Sequence, residues 1–366
     1  LQTAAVVGTG LIGTSIALAL TRRGVRTHLI DRDPDSVRIA VAQGAGTPDP
    51  PPEPVDIAVI AVPPSHTART LADHQNAELA RVYTDVASVK TLPHTECLAL
   101  GCDTTTLVGG HPLAGRERSG PLAARAGLFQ DHHWVLTPAP ETSESALNRA
   151  LELVALCGAV PVLLDPAAHD RAVALVSHLP HLMATLTAAR LLEGEEYAVR
   201  LAGRGVREVT RVASGDAGLW ADILAANAAA LGPLLAALSA DLATVGNALS
   251  RLAADDPESQ GEALAELTGV LRCGMDGRAR IVPPYGGAAA RPHTMVSVAV
   301  GDRNRPLERL LGDVDDARLD LEGMVLPDAR DARDAPVADG SVGLMVAPDL
   351  ARPLTEALRD QGWTVH

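Results

Sequence analysis

The sequence predicts an α/β protein in three parts: a doubly wound parallel sheet, an all-helical segment, and a small βαββαβ module at the C-terminus. Three observations carry this. A short apolar strand runs into a glycine-rich turn and a helix over residues 4–23, and strand-like and helical stretches then alternate to about residue 164. Alanine- and leucine-rich helical sequence follows from about Asp165 to Arg280, and the pattern changes again after it.

The first strand is Ala4-Ala5-Val6-Val7, followed by Gly8-Thr9-Gly10-Leu11-Ile12-Gly13 and a helix over residues 15–23 that Gly24 stops. A second strand, Arg26–Ile30, closes with Asp31, 18 residues beyond Gly13, where a dinucleotide-binding (Rossmann) fold places its ribose-binding acid. Gly8 permits the turn, Gly10 lets backbone approach a pyrophosphate, and Gly13 lets the helix lie close to the sheet, so the first turn at Leu11 and Ile12 faces phosphate. Asp31 favours NAD, because a carboxylate bonds ribose hydroxyls and repels a 2′-phosphate, although the adjacent Arg32 could accept that phosphate.

Further strands are expected over residues 55–62, 82–86, 106–109 and 133–136, with a helix over 65–77 between the first two. Pro63-Pro64 ends a strand at Val62, at the sheet edge where ligands bind. The helical segment contains a long apolar helix over residues 224–242, which argues for burial against a second copy, a homodimer. The linker Ile281-Val282-Pro283-Pro284-Tyr285-Gly286-Gly287 precedes strands at 293–300, 317–326, 341–347 and 363–365, with helices at 305–311 and 350–361. Domains are thus expected at 1–164, 165–285 and 293–366.

A net charge of −14 argues against nucleic acid or an anionic membrane as partner, since either needs a broad basic face. Cys97, Cys102, Cys157 and Cys273 form no CxxC pair, which fits reduced thiols in the cytoplasm and no zinc site. The start, Leu1-Gln2-Thr3, shows no basic leader, and no uninterrupted apolar stretch is expected to reach membrane-spanning length.

The chemistry is carried by His111-Pro112-Leu113-Ala114-Gly115, which follows an apolar strand. An imidazole there can take a hydroxyl proton while a nicotinamide accepts hydride from the same carbon. Five motifs in order now resemble one family, the prephenate and arogenate dehydrogenases of tyrosine biosynthesis, over residues 4–285. They are Gly8 to Ser15, Asp85-Val86-Ala87-Ser88-Val89-Lys90, His111 to Gly115 with Ser119-Gly120, Ser177-His178-Leu179-Pro180-His181, and Thr210-Arg211-Val212-Ala213 with Asp216 and Trp220.

The resemblance implies NAD-dependent oxidative decarboxylation of prephenate to 4-hydroxyphenylpyruvate, with arogenate dehydrogenase as the alternative substrate reading and a non-catalytic NAD or amino-acid sensor as the alternative class. It assigns His111 as catalytic residue, Ser88 as the group that orients it or the hydroxyl and as a cofactor contact, and Arg211 as the grip on a substrate carboxylate. His181, Trp220 and His178 are the further substrate candidates. Asp170, beside His169, reads as a capping or supporting carboxylate. Lys90 reads either as a partner for cofactor phosphate or for a neighbouring acid. No lysine follows Lys90, which counts against the β-hydroxyacid dehydrogenases, and Gly203-Arg204-Gly205 departs from the family by placing a cation between two glycines. Residues 293–366 resemble an ACT domain, which implies either tyrosine sensing or assembly alone.

Overall fold

The computed structural model describes residues 1–115, 120–254, 257–281, 294–299, 309–310, 313–314, 323–325, 341–346 and 348–365. Ser119 of the His111 motif, the linker after Ile281 and most of the expected helix 305–311 lie outside them. The described chain forms two compact units, Leu1–Gly274 and Met275–His366.

The first unit is built on a seven-stranded sheet. Its strands are β1 Thr3–Val7, β2 Arg26–Ile30, β3 Ile57–Ile60, β4 Tyr83–Asp85, β5 Leu107–Pro112, β6 His133–Pro138 and β7 Val160–Leu163, in the order β2-β1-β3-β4-β5-β6-β7. Neighbours are parallel except β5 and β6. Strands β1 and β3 are continuous apolar runs because helices cover both faces of the sheet. Strand β7 was not expected: Pro161 sits inside it and its residues are largely exposed, as an edge strand tolerates.

Five helices join these strands: α1 Leu11–Arg22, α2 Pro34–Ala42, α3 Pro64–Asn76, α4 Thr91–Ala99 and α5 Glu144–Leu156. Asp33 and Ser143 cap α2 and α5 through their side chains, whereas α3 and α4 start at Pro63 and Lys90 with no side-chain cap of their own. Strand order reverses between β1 and β3, and such a switch point opens a crevice beyond the carboxyl ends of the strands.

The helical segment begins with α6 Pro166–Val173, which passes through a π-turn, Ala174–His178, into α7 Leu179–Arg190. Pro180 has no N–H and crowds the carbonyl four residues back, so a wider turn there lets the helix continue in place of breaking. After α8 Glu196–Arg200 and α9 Arg204–Thr210 come a 3₁₀ turn, Arg211–Ser214, then α10 Ala217–Ala226, α11 Ala228–Leu252 and α12 Pro257–Ala279.

The helix expected over 224–242 is in fact two helices that meet at Asn227, whose buried side chain bonds elsewhere and marks the break. No apolar stretch in this segment runs uninterrupted to membrane-spanning length, since Ser239, Asp241, Thr244 and Asn247 interrupt the long helix. Helix α11 is 25 residues long, and its most apolar 18 residues have a mean hydropathy of 1.6 and are only 6% buried within the chain. Alanine and leucine dominate it, and Leu242 and Leu249, seven residues apart, are exposed.

The second unit is a four-stranded antiparallel sheet of β8 Thr294–Ala299, β9 Gly323–Val325, β10 Ser341–Val346 and β11 Thr364–Val365, in the order β11-β8-β10-β9. Helix α13, Pro348–Asp360, buries Leu354 and Leu358 in one core with Val296, Val298, Val342 and Leu344.

Candidate active site

The glycine turn after β1 sets the geometry of the crevice. Gly8 has φ +99, and a Cβ there would lie 2.2 Å from the Ala61 carbonyl oxygen, so no other residue fits. A Cβ on Gly13 would come within 1.9 Å of the Gly8 oxygen, which keeps α1 pressed against the turn. Gly10 faces open space and no side chain caps α1, so its first-turn amides at Leu11, Ile12 and Gly13 are left to an anion.

A cavity of about 520 Å³ beyond this turn is lined by Gly8, Gly10, Asp31, Arg32 and Val62, and from α3 by His66 and Arg69. Asp31 accepts from Thr9 N at 2.6 Å, Thr9 Oγ1 at 3.0 Å and Asp33 N at 2.9 Å, so its carboxylate is fixed at the crevice wall. Thr9, the variable position inside the motif, thereby orients the ribose acid, a role sequence reasoning had missed. The shape, glycine cradle and fixed acid fit a dinucleotide.

A second set of side chains gathers around His111 on β5. His111 Nδ1 lies 2.8 Å from His169 Nε2, and His169 Nδ1 lies 2.8 Å from Asp170 Oδ1. The direction of these bonds follows from the carboxylate. Burial alone would raise the Asp170 carboxyl, but hydrogen bonds from His169, Thr91 and Lys90 hold it down to about 2, so it is ionised and can only accept. His169 Nδ1 then carries a proton, and with that ring in its neutral form His169 Nε2 accepts and His111 Nδ1 donates. That leaves the lone pair on His111 Nε2. Burial, followed by His169 and Lys90, holds the His111 imidazole well below its ordinary value, with Asp170 opposing, so the ring is neutral at pH 7.

Ser88, half-buried three residues beyond β4, makes no hydrogen bond to His111 among the described residues; the group that bonds the His111 imidazole is His169. The sequence pointed to His169-Asp170 through the family resemblance but gave His169 no role, because its contact with His111 spans 58 residues. Lys90 is also settled. Its side chain is buried in an ion pair with Asp85 and bonds the Gly110 carbonyl at 2.5 Å, immediately before His111, so it pairs with an acid.

The opposing wall comes from the π-turn, α7 and α10. His181 stacks on Trp220 with ring centroids 3.4 Å apart and planes 10° apart. Its Nδ1 is buried with no hydrogen-bond partner among the described residues, and burial lowers its pKa. A Cβ on Gly215 would lie 2.6 Å from the Trp220 indole nitrogen, so the chain leaving the Arg211–Ser214 turn packs directly on this stack. Arg211 itself is exposed at the start of that turn. Asp216 caps α10 through Leu219 N at 2.8 Å.

His178, a further substrate candidate, is 1% exposed and is bonded within the protein. Asn227 donates to its Nδ1 at 3.0 Å and to the Asp170 carbonyl at 2.9 Å, while the edge of His178 meets Trp220 at 6.2 Å. Burial pushes the His178 ring down to about 4. One amide thus ties the relay to the wall. Asn227 was legible only as a polar residue inside an apolar run.

The chain matches the nucleotide-binding domain model of prephenate dehydrogenase over residues 16–163 and the dimerization domain model over residues 165–266. It is 46% identical over 367 residues to a Streptomyces niveus protein named "Probable prephenate dehydrogenase NovF", with the whole of both chains covered. Among solved structures it is similar to an Aquifex aeolicus prephenate dehydrogenase determined with hydroxyphenyl propionate and NAD+, at 27% identity and a TM-score of 0.63, covering 75% of this chain and 98% of that one. It is similar as well to a Synechocystis arogenate dehydrogenase, at 28% identity and a TM-score of 0.62, covering 77% and 100%. With a full-length relative and two consecutive domain models in agreement, the chain belongs to the prephenate dehydrogenase family.

Proposed function

We propose that this chain oxidises prephenate with NAD, releasing carbon dioxide and 4-hydroxyphenylpyruvate. The observation that carries the reading is the hydrogen-bonded line from Asp170 through His169 to His111, which leaves an acceptor nitrogen at the end of β5. NAD, held by the Gly8–Gly13 turn and Asp31, supplies the hydride acceptor. His111 Nε2 takes the ring hydroxyl proton as hydride leaves the same carbon. The bond to the ring carboxylate then breaks, its electron pair aromatises the ring, and His111 returns the proton to the phenolate oxygen. The balance is a hydride and carbon dioxide lost, with no net proton.

A dianionic substrate in a protein of net charge −14 needs a local cation, and Arg211 supplies a guanidinium that grips a carboxylate with two N–H groups. His181 is the second candidate for a substrate contact, and Trp220 stacks on that ring and holds it in place. Replacing His111→Asn tests the assignment: turnover should fall about a hundredfold or more while NAD binding persists. Ordinary activity in that variant would remove His111 from the mechanism. Because one structural neighbour is an arogenate dehydrogenase, the same assay run with arogenate decides the substrate side chain.

The exposed stripe at Leu242 and Leu249 on α11, and a second at Leu264 and Leu271 on α12, support a homodimer in which a second copy covers both. Four unpaired cysteines support a cytoplasmic setting. The strand order β11-β8-β10-β9 with α13 on one face supports a ferredoxin-like, ACT-like reading of the C-terminal unit. Calorimetric titration with tyrosine separates sensing from assembly: heat of binding supports the first, and its absence leaves assembly.

A further inference from the structure

Two helices beside the cofactor crevice lack caps of their own, and both are capped from the helical segment. Asp170 accepts from Lys90 N at 2.8 Å and Thr91 N at 2.9 Å at the start of α4. Asp222, on α10, accepts from Ser65 N at 3.1 Å at the start of α3. Neither Pro63 nor Lys90 has a side-chain acceptor, since proline carries no polar group and an ammonium only donates, so neither residue at the N-cap can cap its helix. A carboxylate suits both places, since it satisfies an orphan amide and meets the positive end of the helix dipole.

Asp222 lies two residues beyond Trp220, on a helix packed against α3. Ser65 lies between Val62 and His66, both of which line the crevice. We infer that Asp222 is a positioning residue: by capping α3 it fixes the Trp220–His181 wall against the cofactor wall and so sets the distance between substrate and nicotinamide. Asp170 provides the second fixed point at α4, but it also serves the His111 relay, whereas Asp222 touches neither His111 nor the Trp220–His181 stack through any hydrogen bond among the described residues.

The inference rests on the proposed reaction, and the experiment separates the two. Asp222→Ala removes the cap, and Asp222→Asn keeps it, since asparagine caps helices about as well as aspartate. In the full chain, kcat for prephenate should fall about fivefold in the alanine variant, the factor carried by a typical cap, and return to within about twofold in the asparagine variant. The affinity for NAD alone, set by the glycine turn and Asp31, should stay within about twofold in both. Hydrogen exchange at the Ser65 amide should accelerate in the alanine variant only. Unchanged kcat and exchange in Asp222→Ala, or equal impairment in both variants, overturns the positioning role. Wild-type protein that fails to oxidise prephenate overturns the reaction, while Ser65 exchange still judges the cap.

Discussion

At the residue scale, His111 is a base because of what stands behind it. An ionised Asp170 dictates the tautomer of His169, which dictates that of His111, and burial keeps the terminal ring unprotonated. Replacing Asp170→Asn puts an amide N–H where only an acceptor works, so kcat should drop about a hundredfold while substrate KM moves little. A drop seen in KM alone would mean that the relay does not orient the base. The pH dependence has a fixed sign. Because the His111 pKa lies well below 6.5, kcat/KM should be flat from pH 8 down to about 6.5 and fall only under that, as the ring takes up a proton. His111 was legible from its place after a strand and in a motif, but its true partner was not, since that contact is made by folding and not by spacing.

At the element scale, local sequence rules located most of the scaffold and failed where one residue has a long-range task. The strands around Val7, Ile30 and Ile60 follow from apolar runs bounded by turns. By contrast, β7 carries a proline and little burial, and nothing in an apolar run predicts that Asn227 divides it. Asn227→Leu should restore local apolar continuity yet destabilise the protein by about 1–3 kcal/mol, because His178 Nδ1 and the Asp170 carbonyl lose their buried donor. Urea unfolding measures this, and a neutral or stabilising result would show that the amide is dispensable to the fold. The π-turn at Ala174–His178 lets Pro180 remain inside a continuous helix, which brings His178 and His181 to the same tryptophan.

At the scale of the whole molecule, acid should weaken the fold before it protonates the carboxylates. His178 is held at about 4 in the folded chain against an ordinary 6.5. Above pH 6.5 the ring is neutral folded or unfolded; between 6.5 and 4 the unfolded chain takes a proton that the folded chain refuses. Stability should therefore fall by up to about 3 kcal/mol across that window, and His111 and His181 shift in the same direction. Urea titrations at pH 7.5 and 4.5 test this, and His178→Asn should flatten the slope. Association has its own test: Leu242→Glu with Leu249→Glu should convert dimer to monomer in sedimentation, and an unchanged profile would place the interface elsewhere.

The borrowed caps also bear on how such a protein can be recombined. Residues 1–164 look like a portable cassette, with a complete sheet and a nucleotide fingerprint. Yet two of their helices rely on Asp170 and Asp222, which lie beyond any boundary drawn at residue 164. A chimera that grafts this cassette onto a foreign helical domain inherits two frayed helix ends unless that domain brings acids to the same two places. The heritable module here is therefore the pair of domains together, which matches the single unit Leu1–Gly274.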